Sequence, residues 1–473
     1  MIAGGSGWRQ LLTREHAVNL ALVSLGVWLH AADSLVVSTM MPSIVNDIGG
    51  VEFIAWTFAL YEVGSIIAGA GGVYFVYQAG LRISMASAAF VYLAGCVISA
   101  VAPQMEIMLI GRLIQGFGGG GLVALSFIAM RRLFPKKFLP LVIATISALW
   151  GTSAFFGPLI GGAFAQFDFW RGAFWFFAIQ AAGLTLWILI VLEPRRQKPE
   201  EAKVNFPGIR LISLGLGVTA IASAGIDVTL VRSTFFIFLG LCFLFIFARL
   251  DARAAENRLF PHNPFDPRRG LGAPLMMVMC FAIATIAITT FGPLILILIY
   301  NISALNAGYI IALSSIGWSV PAIAIAFANL PERLDGTLIL SGMVVLLISI
   351  IGFMIFVSSG PFWVIPIFAV LEGAGFGIAW TFLLRKADSI AIPQDRDRMA
   401  GALPTIHRFG YAIGAAVIGI VANTAGFSEG VSVEAAKSAG FWVFAAGIPF
   451  AIIGLFAAWR FVRQNAHEKN LKT

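Results

Sequence analysis

The chain has 473 residues, of which 59% are hydrophobic and only 11% are charged, and its mean hydropathy is +0.91. Soluble globular proteins carry about 45–50% apolar and about 25% charged residues, so this composition excludes a soluble protein and indicates a polytopic membrane protein. The net charge of +8 indicates an excess of basic residues in cytoplasmic loops, so no nucleic-acid partner is expected. One membrane-spanning helix needs about 20 residues, which leaves no room for a large soluble domain beside 12–14 such spans.

Apolar runs between charged, Gly-rich and Pro-rich breaks predict about fourteen membrane-spanning helices, grouped as six, two and six. In chain order the predicted spans are 17–44, 53–77, 83–102, 107–130, 139–165, 171–192, 209–226, 234–250, 275–300, 307–329, 337–357, 362–384, 401–425 and 440–461. We therefore predict an all-α polytopic fold with three parts. Residues 1–193 form an N-terminal six-helix bundle, residues 194–270 hold two extra helices and a cytoplasmic loop, and residues 271–473 form a C-terminal six-helix bundle. A twelve-span alternative, in which the middle pair does not cross, keeps both ends on the same side.

Basic residues gather on one side of this map, as in the cluster Arg131, Arg132, Lys136 and Lys137. The loops on the other side carry mostly acidic residues, such as Glu106. Because cytoplasmic loops carry the excess of Lys and Arg, we expect both termini in the cytoplasm. The expected location is the cytoplasmic (inner) membrane of a bacterium.

Two Gly-rich segments and three other motifs occur along the chain. Residues 111–121 read GRLIQGFGGGG, and residues 151–162 read GTSAFFGPLIGG. Asp33 is followed nine residues later by Pro42, residues 170–174 read WRGAF, and residues 401–414 contain Arg408. Taken in chain order, these five motifs resemble the major facilitator superfamily, most closely its 14-helix drug:proton antiporter branch.

The resemblance implies two six-helix bundles plus two extra central helices, working by alternating access. It also implies a gating role for the antiporter motif of the fifth span, because a proline kinks the helix and flanking glycines let a neighbour pack at the bend. The residues of this motif are Gly151, Gly157, Pro158, Gly161 and Gly162.

The loop between the second and third spans departs from the family pattern. Tyr77 stands where the cytoplasmic latch of the superfamily normally has an Asp, and only Gly80 and Arg82 of that latch remain. The second half has a fuller counterpart with Glu332 and Arg333. The expected cytoplasmic latch therefore consists of Arg82, Glu332 and Arg333, arranged asymmetrically.

Charged residues inside predicted spans are the sharpest functional signal, because they are costly in hydrocarbon and tend to mark ion or substrate pathways. Burial favours the protonated form of a carboxylate, whereas a neighbouring Arg favours the ionised form. We expect Asp33 and Glu62 to carry protons, Arg112 to modulate them, and His30 to assist from one helical turn before Asp33. The alternatives are that Arg112 is a packing residue paired with a carboxylate and that His30 is a hydrogen-bonded helix residue.

A second set of residues is expected to contact substrate. Aromatic faces suit apolar and cationic organic molecules, and a carboxylate suits a cationic group. The expected substrate-binding residues are Glu372, Trp56, Tyr61, Trp150, Phe155 and Arg408. The alternatives are that Glu372 is a buried partner of Arg408 and that the aromatic residues pack between helices.

These features predict a proton-coupled antiporter that exports small organic, amphipathic or drug-like molecules. Its partners would be the substrate, protons and the lipid bilayer, and it would function as a monomer. No ATP-binding loop or Cys/His metal pattern occurs in the sequence, so no cofactor, metal or catalytic residue is expected. The alternatives are a proton-coupled importer of a siderophore or metabolite, a membrane-embedded enzyme acting on lipid-linked substrates, and a membrane sensor.

Overall fold

The computed structural model describes residues 10–194, 206–226, 228–254, 258–260, 264, 266, 271–328, 330–390 and 393–470. Throughout these ranges the regular structure is helical, with no β-strand. The α-helices are α1 (Arg14–Ile48), α2 (Ile54–Ala100), α3 (Met105–Leu133), α4 (Leu139–Gln166), α5 (Trp170–Val191), α6 (Gly208–Ser223), α7 (Leu230–Arg253), α8 (Gly272–Tyr300), α9 (Ala304–Ala328), α10 (Asp335–Phe356), α11 (Val364–Ile390), α12 (Pro393–Thr424) and α13 (Val433–Asn470).

The all-helical architecture follows from the apolar composition, since a backbone in hydrocarbon must satisfy its hydrogen bonds internally. In the described part of the chain, twelve helices are long and apolar enough to cross a membrane, and α6, with 16 residues, is a shorter apolar helix. The prediction of a polytopic helical membrane protein is therefore confirmed. A count of fourteen spans requires in addition that α2 crosses twice and that α6 crosses.

Helix α2 joins the predicted second and third spans into one 47-residue element. Its only departure from helical geometry is at Gly80, with φ 80° and ψ 164°. This backbone conformation is essentially restricted to glycine. Gly80 therefore divides α2 into two arms at the position where the sequence predicts a loop.

One compact unit consists of the described residues within 1–48 and 60–212. Within it, α1 packs against α3, α4 and α5. Helix α3 lies against both arms of α2, because a Cβ atom at Gly116 or Gly120 would meet the backbone of Tyr61 or Ser65, and one at Gly118 would meet the backbone of Tyr92. Small residues allow this close approach of helix backbones in membranes.

A second compact unit consists of the described residues within 49–59 and 213–473. Its core lies among α8, α10, α11 and α13, and includes Phe281, Leu346, Phe376 and Ala451. Helices α9 and α10 each pack against α11. The predicted domain limits at 193 and 270 stay a prediction, and residues 195–205, 227, 255–257, 261–263, 265 and 267–270 of that central segment lie outside the described residues.

Candidate functional site

A buried ion pair joins α1 and α3 in the first unit. The Arg112 guanidinium donates a hydrogen bond to Asp33 Oδ2 at 2.5 Å, and the two side chains are only 0% and 1% exposed. A charge held away from water needs both a counter-charge and hydrogen bonds. The structure thus brings together Asp33, a predicted proton site, and Arg112, its predicted modulator.

Neutral polar side chains complete the surroundings of Asp33. Its Oδ1 atom accepts hydrogen bonds from the Tyr92 hydroxyl at 3.1 Å and from Gln115 Nε2 at 3.2 Å. The Gln115 side-chain oxygen in turn accepts from Arg112 at 3.2 Å and from Ser99 at 3.1 Å. Both carboxylate oxygens of Asp33 therefore accept hydrogen bonds, and their donors lie on α2 and α3.

His30 and Tyr61 extend this cluster along α1 and α2. The Tyr61 hydroxyl lies 2.7 Å from His30 Nδ1, and the rings stack with centroids 5.4 Å apart. The Arg112 guanidinium lies over the Tyr61 ring, 4.3 Å from its centroid, in a cation–π arrangement. Trp150 of α4 meets His30 edge-on at 6.0 Å. We call His30, Asp33, Tyr61, Tyr92, Arg112 and Gln115 the Asp33 cluster.

Other predicted first-half residues take different positions. Glu62 is half-buried next to Tyr61 in α2. Phe155 is 48% exposed and contacts Phe156. Trp56 belongs to the second compact unit, where it packs against Ile221, Ala222 and Ala416.

The Gly/Pro motif of α4 lies against α1. A Cβ atom at Gly157 would come within 2.8 Å of Leu35 Cβ, and one at Gly161 would meet the Val36 backbone at 2.6 Å. Pro158 lies inside the same helix, Gly162 is buried and Gly151 is half-buried. The motif thus places α4 directly against the part of α1 that follows Asp33.

Glu372 of α11 is the buried acid of the second unit, with 3% exposure. Its Oε2 accepts a hydrogen bond from the Ser314 hydroxyl of α9 at 2.8 Å. None of the salt bridges among the described residues involves Glu372, so the alternative of a Glu372–Arg408 pair is wrong for this structure. Arg408 is half-buried on α12.

An aromatic group that the sequence reasoning missed surrounds His407 on α12. Four rings lie near the imidazole, with centroid distances of 4.4 Å for Tyr411, 5.6 Å for Phe376, 6.0 Å for Phe281 and 6.2 Å for Trp380. His407 Nε2 is buried and has no hydrogen-bond partner among the described residues. Phe376 and Trp380 follow Glu372 at intervals of four residues, so the acid and the rings share one face of α11.

The residues of the expected latch take separate positions. Arg82 donates to the backbone carbonyl of Leu189 in α5. Glu332 and Arg333 are exposed in a short 3-10 turn. The buried acid beside that turn is Asp335, which begins α10 and pairs with Arg385 of α11. Sequence reasoning missed this pair, although an acid in the first turn of a helix is a recognised signal.

Comparison with known proteins agrees with the helical architecture. A multidrug-efflux transporter of Mycobacterium tuberculosis, designated as probable, is 28% identical over 91% of this chain and 92% of its own length. Multidrug resistance protein 3 of Bacillus subtilis is 23% identical over 84% of this chain and 78% of its own length. A solved peptide transporter in complex with alafosfalin is 14% identical, covers 94% of this chain and 95% of its own, and has a TM-score of 0.65, which shows a shared fold alone.

The family model described as Major Facilitator Superfamily matches residues 23–415. This match runs from α1 into α12 and contains the Asp33 cluster and Glu372. The chain is a multi-pass membrane protein that belongs to the major facilitator superfamily of transporters.

Proposed function

We propose that this transporter is a proton-coupled antiporter that exports small organic, amphipathic molecules by alternating access. The observation that carries the proposal is the buried Asp33–Arg112 pair, held by Tyr92 and Gln115. Names of relatives support the direction of transport, since proteins of M. tuberculosis and B. subtilis with 28% and 23% identity are named for multidrug efflux and resistance.

Protonation of Asp33 would convert a neutral pair into an uncompensated buried cation. Removing one partner of a buried ion pair costs about 3–5 kcal/mol, because the remaining charge stays desolvated. A free-energy change of that size shifts a two-state equilibrium roughly 150- to 5,000-fold. One proton at Asp33 therefore supplies enough free energy to favour a second conformation, in which Arg112 finds other partners.

The positions of α4 and the Asp33 cluster suggest how that change reaches the substrate path. Asp33 precedes Leu35 and Val36 on α1, which contact Gly157 and Gly161 of α4. A movement of α1 that follows the loss of the ion pair would therefore be passed directly to α4, the helix that contains Pro158. In this mechanism Glu62 is a second proton site, His30 assists Asp33, and Glu372 contacts a cationic group of the substrate.

The same proposal includes fourteen spans and both termini in the cytoplasm. At 1.5 Å per residue, 47 helical residues extend about 70 Å, more than twice the ~30 Å thickness of the hydrocarbon core. The two arms of α2 would each cross the membrane, and α6 and α7 would form the additional central pair. The protein would act as a monomer in the cytoplasmic membrane.

The test uses the purified protein in proteoliposomes with an imposed pH gradient and a lipophilic cationic dye as substrate. Asp33→Asn should abolish gradient-driven dye flux and lower the melting temperature, since Arg112 loses its counter-ion. The double variant Asp33→Asn with Arg112→Gln removes both charges. We expect it to regain thermal stability while gradient-driven flux stays at the level of protein-free liposomes.

Asp47→Asn is the matched control, because Asp47 is also a carboxylate on α1 paired with an Arg, but lies at the helix end and is 48% exposed. It should keep gradient-driven flux. Recovery of that flux in the double variant would show that the Asp33–Arg112 pair is structural and would overturn the proposal. Dye movement in the same direction as the protons, instead of the opposite direction, would identify a proton-coupled importer.

A further inference from the structure

A cavity of about 750 Å³ lies at one end of the first unit. Four helices contribute residues near their ends or kinks: Asn19 from α1, Arg82 from α2, Arg132 from α3 and Val191 from α5. By the distribution of basic residues this is the cytoplasmic end. The Asp33 cluster does not contribute to the lining of this cavity.

The polar part of the lining is dominated by two guanidinium groups. Arg82 is held in place by its hydrogen bond to the Leu189 carbonyl, and its Nε is buried without a hydrogen-bond partner among the described residues. Arg132 is exposed at the end of α3. A buried donor without an acceptor is costly, and the planar guanidinium matches the oxygens of a phosphate group.

The remaining lining is mainly apolar, formed by Val18, Leu81, Leu133, Val191 and Leu192. Glu193 is the one acid among the described lining residues, so together with the two arginines these residues carry one formal positive charge. A phosphodiester carries one negative charge and would neutralise it. Apolar walls beside a phosphate site, at the depth of the helix ends, suit a molecule with both a phosphate and an acyl chain.

We propose that this cavity binds the phosphodiester headgroup of an anionic phospholipid from the cytoplasmic leaflet, with its acyl chain along the apolar wall. Basic pockets between membrane-spanning helices on this side are known to suit such headgroups. Arg82 follows the break in α2 at Gly80 by two residues and lines the cavity together with residues from the ends of α3 and α5.

Binding is measured by titrating the full-length protein in detergent with phosphatidylglycerol and counting retained lipid by native mass spectrometry. Phosphatidylcholine is the zwitterionic comparison, and inorganic phosphate is added as a competitor without acyl chains. We expect one phosphatidylglycerol per chain in preference to phosphatidylcholine. Loss of one charged hydrogen-bonding group in Arg82→Gln or Arg132→Gln should weaken binding about 10-fold.

Arg131→Gln is the matched control, since it removes the same charge from the adjacent position of α3 without touching the cavity lining. It should leave phosphatidylglycerol binding unchanged. If Arg131→Gln and Arg132→Gln lose phosphatidylglycerol binding equally, or if phosphatidylcholine is retained as well as phosphatidylglycerol, general surface charge or non-specific lipid binding explains the result. Either outcome would overturn the proposal. Full displacement by inorganic phosphate would identify a small-anion site and also contradict it.

Arg82→Gln also removes the hydrogen bond to the Leu189 carbonyl, so this variant can fail to fold. Arg132 is exposed, and Arg132→Gln therefore tests the proposal by itself. The readout is lipid retention and requires no transport. Its outcome is therefore independent of proton coupling at Asp33.

Discussion

Asp33 and Arg112 could be recognised from sequence because a charge inside an apolar run has few structural explanations. Their partners Tyr92 and Gln115 could not be recognised in the same way. A neutral polar residue in a span is common, and its role depends on which residue of another helix it meets. Gln115 did carry a weak signal, since it lies three residues after Arg112 and therefore on the same helix face.

Glu372 presents a different situation, because its hydrogen bond comes from a neutral hydroxyl. A buried carboxylate without a salt bridge among the described residues is suited to attract a cationic substrate group. We predict that Glu372→Gln weakens the binding of a monocationic dye about 10-fold, equivalent to about 1.4 kcal/mol, and leaves a neutral drug unaffected. Quenching of tryptophan fluorescence on titration of the purified protein measures both affinities.

Ser314→Ala is the control for this prediction, because it removes the hydrogen bond and keeps the carboxylate. Cation binding should survive in that variant. If Glu372→Gln weakens the binding of neutral and cationic ligands to the same extent, Glu372 supports the packing of α9 and α11 and does not select for positive charge.

At the scale of helices, the packing of α3 on α2 depends on glycines at which backbone meets backbone. A Cβ atom at Gly120 would collide with the Ser65 main chain, which cannot rotate away as a side chain can. We predict that Gly120→Ala lowers the free energy of unfolding by about 1–3 kcal/mol, the usual cost of overpacking. The melting temperature of the purified protein in detergent reports this loss.

Gly69→Ala serves as the comparison on the same interface, since its Cβ would lie 3.9 Å from the Gly120 carbonyl, an ordinary contact. Its melting temperature should match that of the unmodified protein. If both variants lose stability equally, helix flexibility rather than close packing explains the need for glycine.

The helices themselves were largely predictable from apolar runs, whereas the continuity of α2 was not. Tyr77 to Arg82 reads as a loop because Gly80 and nearby polar residues interrupt the apolar pattern. In the structure the chain is helical on both sides of Gly80, and only the Gly80 backbone departs from helical geometry. The Asp335–Arg385 pair was missed for a related reason: both residues sit at helix ends, where charges normally indicate loops.

At the scale of the whole molecule, the proposal of fourteen spans depends on the crossing of α6 and α7. These helices pack closely, since a Cβ atom at Gly217 would meet Leu244 and the Gly240 carbonyl, and one at Gly240 would meet the Gly217 carbonyl. Only 11% of the most apolar window of α7 is buried, which suits a helix largely surrounded by lipid. The short connection between α6 and α7 would then lie outside the cell.

We predict that a cysteine in place of Thr229, an exposed residue of that connection, reacts with a membrane-impermeant maleimide added to intact cells. Cysteine in place of Val431, 45% exposed and expected on the outer side, is the positive control. Cysteine in place of Gln10 is the inner control. Labelling of the Thr229 position only after the cells are opened would support twelve spans and contradict fourteen.

Asn423 of α12 has a consequence for how the chain is made. Its side-chain amide donates to the Glu52 carbonyl, 371 positions earlier, at 2.9 Å, and to the Gly225 carbonyl at 2.8 Å. At about 5–20 residues per second, a ribosome needs roughly 20–75 s to travel from Glu52 to Asn423. The Glu52 carbonyl, in the link between α1 and α2, therefore has no Asn423 amide to bind during most of synthesis. The second unit can be completed only when α12 has entered the membrane.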